Sequence, residues 1–108
     1  MSLTQTEAEQ LIRMELRQWG FPADSFEWVE SGGMIACAVG SEQRIKLTPR
    51  VLNSSALLTE VVKHEIAHLL DYKERGTFEI NGRNVFHGKN WKKWCGIVGC
   101  RPRRFIPL

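Results

Sequence analysis

Between positions 57 and 70 the chain sets Leu57, Leu58, Val61, Val62, Ile66, Leu69 and Leu70 at helical spacing. So broad an apolar stripe predicts a helix over 55–74 that is buried round much of its circumference. Asn53, Ser54 or Ser55 can cap its start and Gly76 stops it. An earlier stripe of Ala8, Leu11, Ile12, Leu16 and Trp19 follows Thr4-Gln5-Thr6-Glu7, a capping box, and predicts a first helix over 4–19 ended by Gly20 and Pro22. Between these helices the pattern shortens to that of strands over 26–29, 34–39 and 44–47, parted by Ser31-Gly32-Gly33 and Gly40-Ser41-Glu42. Taken in order they predict a small three-stranded, mainly antiparallel meander, with Ile45 and Leu47 inward and Arg44 and Lys46 outward. Downstream, Asn81-Gly82 marks a two-residue hairpin turn that leads the chain into His87. A last helix over 89–98 carries Trp91, Trp94 and Cys95 on one side and Lys89, Lys92 and Lys93 on the other. The area each indole buries assigns the Trp pair to the core rather than to a stacking platform. The fold class is therefore α+β: N-terminal helix, small sheet, central helix, hairpin and C-terminal helix. It forms one domain over 1–108, with 99–108 as a basic extended tail.

Composition bounds this picture without changing it. With 43% hydrophobic and 25% charged residues the chain is that of a globular domain with a modest core. No apolar run approaches the ~20 residues of a membrane span, and no basic segment followed by an apolar one opens the chain. The expected location is the cytoplasm. Three cysteines, Cys37, Cys95 and Cys100, are an odd number without a secretory signal, which favours buried thiols over a disulfide framework. The net charge of +3 permits an anionic partner without requiring one.

The central helix carries the chemistry. Within it stands His64-Glu65-Ile66-Ala67-His68, the spacing of a helical zinc-hydrolase site. Residues four apart on a helix lie on one face with Cβ atoms about 5–6 Å apart, so two imidazoles converge on one ion at Zn–N distances of about 2.0–2.1 Å. Glu65 points about 100° further round, beside the ion rather than on it, where it can take a proton from water. Burying two histidines and a glutamate in so apolar a helix is costly unless a metal or partners satisfy them. A catalytic zinc usually takes three protein ligands. His87, the one remaining histidine, is the first choice for the third. Glu74 is its rival, six residues after His68, but no helix-breaking glycine precedes it as it does in the extended zincin pattern. Asp71 lies near the ligand face and either orients a ligand histidine or pairs with Arg75 at i+4. Tyr72 and the nearby arginines are candidates for a second electrophile. Lys89, Lys92, Lys93, Arg101, Arg103 and Arg104 follow the third ligand closely and are candidates for nucleic-acid contacts.

With these pieces in order the chain resembles the SprT-like (Spartan-type) zinc metalloprotease family. The matching features are the helix-then-sheet lead-in, Ala36-Cys37-Ala38, Ile45-Lys46-Leu47-Thr48, Val62 to His68, and His87-Gly88-Lys89-Asn90-Trp91 opening the next helix. The resemblance implies a zincin-like fold, zinc on His64, His68 and His87, Glu65 as the catalytic glutamate, and peptidase action on DNA-bound or DNA-crosslinked proteins. Many members carry a C-terminal ribbon of paired cysteines, whereas here only Cys95 and Cys100 stand near the end. ImmA/IrrE-like peptidases are a more distant comparison, since their acidic third ligand in an apolar following helix has no match after His68. The alternative function is a catalytically silent nucleic-acid-binding or adaptor module in which zinc only holds the fold. Glu65, which a structural zinc does not need, favours the enzyme, as does the lack of a cysteine placed to close the fourth position.

Overall fold

The computed structural model describes residues 2–30 and 34–103. Helix α1 (Gln5–Gln18) opens on the capping box, with the Thr4 hydroxyl accepting from the Glu7 N–H and the Glu7 carboxylate accepting from the Thr4 N–H. Its face of Ala8, Ile12 and Leu16 is fully buried. Three strands follow, β1 (Phe26–Trp28), β2 (Ala36–Val39) and β3 (Arg44–Leu47). Helix α2 (Ser55–Arg75) is capped by the Ser54 hydroxyl and ended by Gly76 at φ +76°. Strands β4 (Glu79–Ile80) and β5 (Arg83–Asn84) form a hairpin, and α3 (Lys89–Val98) completes the described elements. At the hairpin turn Asn81 and Gly82 both take positive φ, +53° and +79°, as a type I′ turn requires.

The sheet departs from the expected meander. Its order is β1-β3-β2, with β1 parallel to β3 and β2 antiparallel to β3, so it is a mixed sheet with the third strand in the middle. The physical reason lies in β3, whose Ile45 and Leu47 are wholly buried while every residue of β2 is only half-buried. The strand whose inward side chains are the most deeply buried takes the central position, paired on both edges. The connection from 29 to 35 is too long to force β1 and β2 into a tight hairpin. Ile45 N–H donates to Ser25 O at 3.0 Å and Val29 N–H to Leu47 O at 2.8 Å, holding the parallel edge.

Helix α2 is the centre of the packing, with α1, the sheet and α3 against it. Leu58, Val61, Val62, Ile66 and Leu69 join the main core with Ile12, Leu16, Ile45, Leu47 and Val51. A second small core of Ala67, Trp91, Cys95 and Cys100 fills the space between α2 and α3. The three cysteines are free thiols. The first tail residues run along α2 rather than away from it: Cys100 is buried and the Arg101 N–H donates to Glu60 Oε1 at 2.8 Å. Arg104 lies outside the described residues. Among the described residues, no helix is long and apolar enough to cross a membrane.

Candidate metal centre

Helical spacing stacks His64 and His68 on one face of α2, and their Nε2 atoms stand 3.3 Å apart. Two donors about 2.0–2.1 Å from one tetrahedral ion are separated by roughly this distance. The hairpin and the turn after it bring His87 to the same point. One nitrogen from each of His64, His68 and His87 lies within 4.8 Å of the others, a group that can hold a metal ion. Gly88 makes that turn possible, because a Cβ there would stand 2.8 Å from Val85 Cγ1.

Burial sets the electrostatics. His64 and His68 are each only 6% exposed. Desolvation first, and then repulsion from His87, pushes His64 down to about 4. Desolvation followed by repulsion from His64 and His87 pushes His68 to about 3. Both rings are therefore neutral near pH 7, with lone pairs available to a cation. The His68 Nδ1 atom is buried without a hydrogen-bond partner among the described residues. Glu65 sits beside them in α2, and desolvation, with a smaller contribution from Cys100, raises its carboxyl to about 8. Free of metal it is protonated at pH 7; a dication at the histidines favours the carboxylate.

Trp91 is the part of the site that sequence reasoning assigned only to the core. It is fully buried, but its neighbours are the three histidines. Its ring stacks on His68 with centroids 5.1 Å apart and planes 16° apart. It meets His64 and His87 edge-on at 4.9 and 4.7 Å. Its position four residues after His87, at the start of a helix, was the available signal. Phe78 adds an aromatic wall, edge-on to His68 at 6.2 Å and to Tyr72 at 5.0 Å.

The remaining candidates are distributed as follows. Glu74 is exposed and both its oxygens accept from Lys93 Nζ, at 2.7 and 2.8 Å, which leaves it outside the histidine group. Asp71 is wholly buried, paired with Arg75 and bonded to Asn90. Tyr72 packs its ring against Gly40, where a Cβ would come within 2.3 Å. Lys89, Lys92, Lys93, Arg101 and Arg103 are exposed, and Lys93 is also paired with Glu74.

The sequence model of the SprT-like family matches residues 7–107. The chain belongs to the SprT-like family. Among curated relatives, the Protein SprT of Shigella boydii serotype 18 is 35% identical over 88 residues, which is 78% of this chain and 49% of that protein. The Protein SprT of Escherichia coli strains HS and SE11 matches with the same 35% identity and the same coverage. This SprT-like chain thus spans about half the length of the curated relatives it matches. No solved structure matches it.

Proposed function

We propose that this SprT-like chain is a zinc-dependent metallopeptidase of zincin type, with Glu65 as general base. The observation that carries the reading is the convergence of one nitrogen from each of the buried His64 and His68 and the half-buried His87, beside the buried carboxyl of Glu65. Three imidazoles suit zinc, and the described residues add no fourth ligand to the group, which is the arrangement of a catalytic rather than a structural site. Bound there, zinc supplies Lewis acidity towards a peptide carbonyl and makes water easier to ionise. The chain's own residues do the rest. Glu65 accepts the proton of the attacking water and returns it to the leaving amine. Trp91, packed against all three imidazoles, holds the rings in place. An open cavity of about 460 Å³ adjoins His87, with Phe86, Trp91, Lys92 and Pro102 in its wall, and gives room for a polypeptide.

Proteins associated with or crosslinked to DNA are the proposed substrates. Family membership supports this, together with the exposed cations Lys89, Lys92, Arg101 and Arg103 near the cavity. The test is cleavage of a DNA-binding protein, with and without DNA, by the parent and by Glu65→Gln. The substitution should retain metal and fold while cleavage falls about 10²–10⁴-fold. Undiminished cleavage would refute the role of Glu65. A metal-loaded parent that cleaves no substrate would favour the adaptor reading.

A further inference from the structure

His87 is the one ligand not carried by α2, so something must hold its loop against that helix. The contacts that do so start at Asp71, three residues beyond His68 and wholly buried. Its Oδ1 accepts from Arg75 Nε at 2.6 Å and its Oδ2 from Arg75 Nη2 at 2.8 Å, a two-pronged pair along the helix. The same Arg75 Nη2 donates to the carbonyl of Val85 at 3.0 Å, two residues before His87. On the other side, Asn90 Nδ2 donates to Asp71 Oδ1 at 2.7 Å, three residues after His87. One buried carboxylate thereby holds the chain on both flanks of the third histidine.

We infer that Asp71, acting through Arg75 and Asn90, is the positioning residue for the third ligand, setting how well His87 meets His64 and His68. This rests on the metal reading of the site but not on its being a peptidase. A second tie between the same two helices exists: Lys93 of α3 is paired with Glu74 of α2. That pair joins the helices without flanking His87. What separates positioning from helix docking is therefore a binding readout set beside the stability of each metal-free variant, with the exposed Lys93–Glu74 pair as a control contact that does not flank His87.

The experiment is zinc affinity by chelator competition, with the Co²⁺ absorption spectrum as a measure of ligand number, for the parent, Asn90→Ala, Asp71→Asn and Lys93→Ala. Urea unfolding of each metal-free chain runs alongside. Removing outer partners of metal ligands typically costs about 10–100-fold in affinity. Asn90→Ala and Asp71→Asn should lose affinity in that range, and their Co²⁺ bands should shift as a solvent ligand replaces the third imidazole. Lys93→Ala should bind as the parent does. Parent-like affinity and spectrum in Asn90→Ala would overturn the assignment, even if Asp71→Asn fails to fold. An equal loss in Lys93→Ala would also overturn it, by showing that helix docking alone is responsible. The readout is binding, so a metal-loaded parent without peptidase activity would sink the proposed function and leave this inference standing.

Discussion

An imidazole left in water holds a proton below about pH 6.5, and a protonated ring has no lone pair for a metal. Burial in α2 moves His64 to about 4 and His68 to about 3, while it moves Glu65 the other way, to about 8. The signs fix how the metal-free protein responds to pH. The histidines, with lowered values, stabilise the fold above 6.5 and lose that contribution as pH falls towards 4. Glu65, with a raised value, stabilises it below 4.5 and loses that contribution as pH rises to 8. From these three groups, metal-free stability is greatest between the two transitions, around neutral pH, and falls as pH drops through the histidine range or rises through that of Glu65. Urea midpoints measured in chelator from pH 5 to 8 would show this peak; a steady rise would contradict it. Trp91 gives a second prediction. Truncating so buried a ring with Trp91→Ala should cost about 3–5 kcal/mol, read from the same urea curves. Spacing alone carried the histidine pair on α2, but Trp91 and Asp71 were only half legible. The sequence offered Asp71 either as an orienter of a ligand histidine or as an exposed partner of Arg75; the pairing exists, yet the burial of Asp71 and its bond to Asn90 depend on α3 arriving from elsewhere in the chain.

At the level of elements, helices and turns were readable because their causes are local. The capping box at Thr4 and Glu7, the positive-φ pair at Asn81 and Gly82, and the span 89–98 of α3 each follow from neighbouring residues. Strand order was not readable, since pairing joins Phe26 to Ile45 across a distance that no local pattern encodes. Gly40 was hidden for the same reason. It reads as a turn residue, but what demands glycine there is Tyr72, whose ring leaves no room for a Cβ. Gly40→Ala should therefore push α2 from the end of β2 and destabilise the protein by about 1–3 kcal/mol. A stability equal to the parent's would show that Tyr72 moves aside freely.

Over the whole molecule, the metal site lies where α2, the hairpin and α3 meet, and ligands from separate elements tie binding to folding. An ion held by His64 and His68 of α2 and by His87 ahead of α3 should stabilise the fold by about 2.7 kcal/mol at a free concentration 100 times its Kd. Thermal unfolding with zinc and then with chelator would show this as a reversible rise in Tm. No shift would mean that the three rings do not act together. The most direct measurement is metal content per chain, by elemental analysis of protein purified without chelator, for the parent and for His87→Ala. The account predicts about one zinc per parent chain and its loss in His87→Ala. A parent without metal under replete conditions, or a His87→Ala protein that keeps it, would contradict the three-histidine centre.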